Sequence, residues 1–248
     1  MIIVKSPQEL DKMRVSCRMV AEILQELSEQ VAPGISTWDL DRIAEESCLK
    51  RKAKPAFKGY GGFPCSICAS PNQTVVHGFA TKQPLVEGDI ISIDFGVLFD
   101  GFYGDSAVTL PVGNVNHEKA HLMEVTKSSL VAGIEKVAPG AYLSDISAAV
   151  QTVVEAAGYS VVIEFVGHGI GRSLHEDPQI PNYGKPGFGP KLKKGMVLAI
   201  EPMVNAGTHH VRVLSDGWTA VTQDGRPSAH FEHSVAVTET GYEILTRL

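Results

Sequence analysis

Apolar residues recur at alternating steps of three and four from Leu10 through Met13, Cys17, Val20, Leu24 and Leu27 to Val31, the spacing of one buried stripe on an α-helix. Ser6-Pro7-Gln8-Glu9 supplies the start. Ser6 stands as N-cap, Pro7 fills the first helical position, where its missing N–H costs nothing, and Glu9 can reach back in a capping box. Pro33-Gly34 ends the pattern. A second helical pattern runs from Thr37 through Leu40, Ile43, Ala44 and Cys48 toward Leu49, before a turn-rich stretch from Pro55 to Pro64. Strand-like runs follow, among them Ile90-Ile91-Ser92-Ile93-Asp94-Phe95-Gly96, Met196-Val197-Leu198-Ala199-Ile200 and Val235-Ala236-Val237.

The pattern also repeats. Val31-Ala32-Pro33-Gly34 returns as Val137-Ala138-Pro139-Gly140, and Asp39-Leu40 as Asp145-Ile146, both 106 residues later. Gly88 lies six residues before Asp94, and Gly195 six before Glu201, an offset of 107. A shared helix-helix-strand order predicts an α+β protein: one domain over 1–248 built from two half-domains, approximately 1–110 and 111–248. Each would offer a helix pair and antiparallel strands, packed about a pseudo-twofold with a site between them. Gly171 to Pro190 has no counterpart in the first half and reads as a functional loop.

Composition narrows the class of protein. The chain has 248 residues, 44% of them apolar, and a formal charge of −6. It is long enough to bury roughly 70% of its unfolded surface, which argues for a globular fold. No apolar run reaches the roughly 18 residues that span a bilayer, and Met1-Ile2-Ile3-Val4-Lys5 is too short for a signal-peptide core, so a cytoplasmic location without membrane contact is expected. Four cysteines in a chain of this length make no disulfide scaffold. The mild acidity, with no basic block, argues against specific nucleic-acid binding.

Asp94 closes a β-branched strand and Asp105 follows eleven residues on, past the turn-forming Asp100-Gly101, as in a hairpin. Two acids on facing strands of an apolar sheet cannot both stay ionised without a cation, because burying an unpaired carboxylate is very costly. Glu201 repeats the geometry after Ile200, and Glu232 lies between His230-Phe231 and Val235. His168, in Val166-Gly167-His168-Gly169-Ile170-Gly171, adds a neutral imidazole among glycines that let backbone approach closely. Taken singly, each has a plain reading: a turn or cap for the aspartates, a core histidine, a solvated glutamate. Together, at matching places in two repeats, they point to a dinuclear site for two divalent ions of the Mn, Fe, Co or Zn type, a recognised clamp for hydrolysis. His77, at a strand-to-turn boundary, and His175, in the loop without a counterpart, are the candidates for proton transfer or carbonyl polarisation.

Two other readings of local motifs, a zinc ribbon and a nucleotide-binding loop, lack support. Cys65-Ser66-Ile67-Cys68 lacks the second pair of a zinc ribbon, and Gly167-His168-Gly169-Ile170-Gly171-Arg172 lacks the pattern of a phosphate loop.

Seven segments span the chain in order: Val75-Val76-His77-Gly78, Ser92-Ile93-Asp94-Phe95-Gly96, Gly104-Asp105-Ser106-Ala107, Gly167-His168-Gly169-Ile170-Gly171-Arg172, Leu174-His175-Glu176-Asp177-Pro178, Ile200-Glu201-Pro202 and Phe231-Glu232-His233. Their joint order resembles that of type I methionine aminopeptidases, the short form of the pita-bread metallopeptidases. The resemblance implies a pita-bread fold and removal of the N-terminal methionine of nascent polypeptides whose second residue is small. It implies that Asp94 chelates one metal, that His168 and Glu201 hold the other, and that Asp105 and Glu232 bridge both. Glu201 would accept the proton of the attacking water. His175 would hydrogen-bond the scissile carbonyl or its oxyanion, and His77 would contact the scissile amide nitrogen. The methionine pocket would be lined by Phe57, Tyr60, Phe63, Cys68, Leu174 and Trp218.

The resemblance further implies a monomer that meets the ribosome transiently, through its nascent substrates. The chain departs from common usage at four places: Phe57 stands where Cys is frequent, Phe63 where Tyr is, Gly61 where His is, and Leu174 where Phe is. These change the pocket wall and leave the metal ligands alone. The chain's own Ile2 is large, so retention of Met1 is expected. A compact form is expected, without the N-terminal zinc fingers of some eukaryotic members or the long helical insertion of the type II kind. Three rivals share the fold: an X-Pro aminopeptidase or dipeptidase, which usually carries a separate N-terminal domain, a non-catalytic binding module, and a metal-independent hydrolase of the creatinase kind. The last two are disfavoured by a full ligand set.

Overall fold

Helix α1 begins where its cap stands. In the computed structural model, which describes residues 1–248, α1 spans Pro7–Gln30. Ser6 Oγ accepts from the Glu9 N–H at 3.3 Å while the Glu9 carboxylate accepts from the Ser6 N–H at 2.9 Å, so two otherwise orphaned donors are satisfied reciprocally. Met13, Cys17, Val20, Leu24 and Leu27 are buried, and Leu10 and Val31, at the ends of the stripe, are half-buried. Helix α2 spans Thr37–Lys50, with Ser36 as its N-cap.

Then come β1 (Lys54–Pro55), a 3₁₀ turn at Tyr60–Gly62, β2 (Cys68–Pro71), β3 (Thr74–Val76) and a long hairpin of β4 (Ile90–Phe99) and β5 (Phe102–Pro111). Helices α3 (His117–Ile134) and α4 (Leu143–Ala156) follow. The remaining strands are β6 (Ser160–Val161), β7 (Gly167–Gly169), β8 (Glu176–Ile180), β9 (Val197–Ile200), β10 (Met203–Asn205), β11 (Val211–Val213), β12 (Ala220–Thr222), β13 (Ser228–His230), β14 (Glu232–Val237) and β15 (Tyr242–Ile244).

Nine strands form one antiparallel sheet in the order β1-β4-β5-β14-β9-β7-β8, with β2 also on β4 and β15 also on β14. Two three-stranded sheets, β13-β10-β6 and β11-β12-β3, complete the molecule. The two helix pairs divide the large sheet between them. α1 and α2 lay Val20, Ile23, Leu27 and Leu40 on Ile91, Ile93 and Phe95 of β4. α3 and α4 lay Leu130, Ile134 and Ile146 on Leu198, Ile200 and Val235 of β9 and β14. Each fully buried aliphatic side chain contributes about 1.5–3 kcal/mol, so both covers hold by apolar burial. The turns joining the two pairs also agree: Gly34 (φ 99°) and Gly140 (φ 89°) are both left-handed, the conformation that glycine adopts without a Cβ clash.

The expected loop over Gly171–Pro190 is not irregular throughout. Glu176–Ile180 is strand β8, which ends the sheet through Gly167↔Ile180 and His168↔Gln179 on β7. Pro178 is tolerated because an edge strand leaves one row of backbone groups unpaired. No helix is long and apolar enough to cross a membrane.

Candidate metal centre and active site

The large sheet sets the acids side by side. Asp94 faces Ala107 across β4 and β5, and Asp105 faces Gly96, so the two carboxylates are diagonal neighbours on one face. Glu232, in β14, lies opposite Ala107 from the other side. Glu201 directly follows β9, which pairs with β14, and His168 in β7 lies opposite Ala199 of β9. Five consecutive strands of the sheet, β4-β5-β14-β9-β7, therefore each bring one candidate ligand to the same place.

Charge is the problem this arrangement creates. Asp105 and Glu232 are 4% and 2% exposed, and Asp94 and Glu201 are half-buried. Burial, with Asp105 and Glu201 as like-charged neighbours, pushes Asp94 well above the usual carboxylate range. Burial pushes Asp105 up to about 7, against hydrogen bonds from Asp94 and the Ser106 backbone. Glu201 and Glu232 are raised well above their ordinary value by burial and by the nearby acids. Asp94 Oδ1, Asp105 Oδ1 and Glu232 Oε1 are buried without any hydrogen-bond partner. Ligand atoms of Asp105, His168 and Glu232 all lie within 4.8 Å of one another. Orphaned oxygen donors in a dry cluster are what a divalent cation satisfies, and the donor set fits one.

His168 presents one ring nitrogen to the acids. Its Nδ1–H donates to the Gly169 carbonyl at 2.9 Å, which leaves the Nε2 lone pair free, 3.4 Å from Glu201 Oε1. Burial and the nearby His175 lower its pKa to about 4, so the ring is neutral at pH 7. The flanking glycines are required by close approach: a Cβ on Gly167 would lie 2.4 Å from the Ala199 carbonyl oxygen, and one on Gly169 2.1 Å from that of Asp177.

A cavity of about 510 Å³ opens over these groups. His77 lines it at φ 59°, its ring edge-on to Phe165 and Trp218 at 5.3 and 6.3 Å. His175 also lines it, with Nδ1 2.8 Å from the Tyr60 hydroxyl and its ring 4.5 Å from that of His168. Burial and His175 lower His77 to about 4, and burial lowers His175, so both rings favour the neutral form. Phe57, Phe63, Cys68 and Leu174 form a buried apolar wall, with Trp218 edge-on to Phe63 at 5.2 Å and Tyr60 at the exposed rim. The cavity thus brings together every candidate ligand, catalytic residue and pocket residue named from the sequence. Cys65 and Cys68 are buried thiols, as are Cys17 and Cys48.

Four residues here escaped sequence reasoning. Asp41, on α2, accepts from the N–H groups of Ser66 and Ile67 at 2.7 and 2.9 Å and so fixes the approach to β2. Lys5 forms a buried ion pair with Glu176, whose carboxylate also accepts from the Arg172 and Ser173 N–H groups. His230 is buried with Nε2 unpartnered, 3.6 Å from Glu201 Oε2, and burial near His77 lowers it to about 3. Only Glu176, beside His175, carried a local signal.

Comparison with known proteins agrees with this geometry. Over all of both chains the protein is 56% identical to methionine aminopeptidase 1 of Bacillus subtilis. The crystal structure of a methionine aminopeptidase from Thermotoga maritima superposes with a TM-score of 0.98 at 48% identity, covering 100% of each chain. A prolidase from Pyrococcus furiosus shares the fold alone, at a TM-score of 0.79 and 22% identity, over 99% of this chain and 66% of that one. The model of metallopeptidase family M24 matches residues 11–239, and divalent-metal use accounts for the buried oxygen donors: the chain belongs to metallopeptidase family M24.

Proposed function

We propose that the protein is a methionine aminopeptidase that removes the N-terminal methionine of polypeptides whose second residue is small. The observation that carries this reading is the union of an apolar, partly aromatic wall with orphaned carboxylates in one cavity. A thioether side chain fits such a wall, because methionine is apolar and its sulfur makes favourable contacts with ring edges. The full-length likeness to methionine aminopeptidases supports it.

Asp94, Asp105, His168, Glu201 and Glu232 would together hold the divalent metal, two ions in this reading. When bound, the metal supplies Lewis acidity that activates water and polarises the amide. Glu201 takes the proton of the attacking water at a carboxylate oxygen. His175, with Nδ1 engaged by the Tyr60 hydroxyl, turns its Nε2–H to the developing oxyanion. A neutral His77 holds the scissile amide nitrogen by a hydrogen bond. Phe57, Phe63, Cys68, Leu174 and Trp218 exclude water around the methionine side chain, and Tyr60 closes the rim. Residues 1–248 form one catalytic unit of two halves, near 1–110 and 111–248. In the cell the enzyme would act in the cytoplasm as a monomer, meeting nascent chains at the ribosome, with Co, Mn, Fe or Zn as the metal.

Hydrolysis of Met-Ala-Ser, Met-Ile-Ser and Ala-Pro-Ser tests the reading. Release of methionine from Met-Ala-Ser alone is expected. Cleavage of Ala-Pro-Ser in its place would move the protein to the proline-directed relatives, and no cleavage by metal-loaded, folded protein would make it a binding module.

A further inference from the structure

A second set of metal-binding residue types lies apart from the strand-borne acids, on two loops. Glu164 stands between β6 and β7, and His209 and His210 stand on the turn from β10 to β11. One ligand atom from each lies within 4.8 Å of the other two.

Both loops are tied down. The buried Asn205 side chain donates to the Thr208 carbonyl at 2.9 Å, the Thr208 N–H donates to Asp224 Oδ2 at 2.8 Å, and the Gln223 N–H donates to the His210 carbonyl at 3.0 Å. On the facing loop the Val162 N–H donates to the Met203 carbonyl at 2.9 Å, so both loops hang from β10. The Ile163 N–H donates to Glu164 Oε2 at 3.3 Å and occupies only that oxygen. The two imidazoles sit with centroids 4.0 Å apart and planes inclined by 46°.

A second observation does not depend on spacing. His209 Nδ1 is buried and has no hydrogen-bond partner, a state that is costly unless a ligand fills it. We propose that Glu164, His209 and His210 form a separate zinc-class cation site at the rim of the cavity, which Glu164 also lines. Two imidazoles and a carboxylate, with water in the fourth position, match the tetrahedral preference of Zn²⁺; hard cations such as Mg²⁺ and Ca²⁺ prefer all-oxygen sets. Glu164 and His210 are exposed, so their side chains are free to rotate inward to coordination distance. The site stands whether or not the buried acids hold the catalytic metal.

Equilibrium dialysis of the full chain against Zn²⁺ tests it. The unaltered protein is expected to retain one ion per chain more than the His209→Ala, His210→Ala double variant. Asp105→Asn, which disables the buried centre, should keep that additional ion, so failure of one site is distinguishable from failure of the other. Glu164→Gln, an exposed change that leaves the fold intact, should weaken the ion by at least the ~10-fold that losing even a ligand's hydrogen-bonded support costs. Nitrogen NMR of the unaltered protein with its buried centre preloaded should show both rings shift on adding Zn²⁺. Equal zinc content in unaltered and double-variant protein, or unmoved resonances of His209 and His210, would overturn the proposal.

Discussion

His168 and His175 lie edge to face with ring centroids 4.5 Å apart, yet their neighbours give them different work. His168 has its Nδ1 tied to a backbone carbonyl and offers a lone pair to the acids; His175 has its Nδ1 on Tyr60 and faces the cavity. His175→Ala should therefore keep the metal content and lower kcat by about 10²–10³-fold, the usual cost of one oxyanion donor. Asp105→Asn should lower both, because an orphaned charged oxygen is replaced by a neutral amide. Elemental analysis beside kcat checks the contrast, and metal loss in His175→Ala would place that ring among the ligands. The acids were legible in the sequence because a carboxylate is rarely buried in an apolar strand unless something pairs with it. Asp41 was not legible: its helix pattern is ordinary, and its partners, Ser66 and Ile67, are brought to it only by the fold.

At the scale of elements, α1, α2 and the β4–β5 hairpin were readable from local signals: a capping box, a three-four stripe, a Gly turn between β-branched runs. Strand β8 was hidden because Glu176-Asp177-Pro178 has the composition of a turn, and only pairing with β7 makes it a strand. Its anchor was hidden too. Lys5 Nζ meets Glu176 with both side chains nearly inaccessible, and the Lys5 N–H donates to the Gly195 carbonyl at 2.8 Å, so the N-terminal segment clamps the strand that follows His175. A contact spanning 171 residues leaves no periodic trace. Lys5→Met should strand a buried carboxylate and cost about 3–5 kcal/mol in urea unfolding. Part of that loss should return in the Lys5→Met, Glu176→Gln double variant. Unchanged stability in the single variant would mean that the pair is solvated in solution.

Across the whole molecule, two helix pairs cover one sheet, and the ligands meet where strands from both halves of the chain run side by side. Charge makes this junction depend on a cation. Without metal, burial holds Asp105 near 7 and the other three acids above the usual range. For groups raised in this way, the stabilising effect is full below an unfolded value of about 4 and is lost as pH climbs through the folded value. An incoming cation takes the deprotonated donors and releases protons. The gap in Tm between metal-loaded and stripped protein should therefore widen from pH 5 to pH 7.5, as scanning calorimetry can check; a constant gap would mean that the acids bind no metal. The cluster of acids was legible because Asp94 and Glu201 each stand six residues after a glycine in a strand-like run, and the pocket wall became legible only through likeness to a known family. Catalysis hinges on the buried acids being useless without metal. The most direct test is the rate of methionine release from Met-Ala-Ser by chelator-stripped protein, followed as Mn²⁺ or Co²⁺ is added back. Negligible release that rises with metal and saturates is the expected result; full activity in the stripped protein would contradict it.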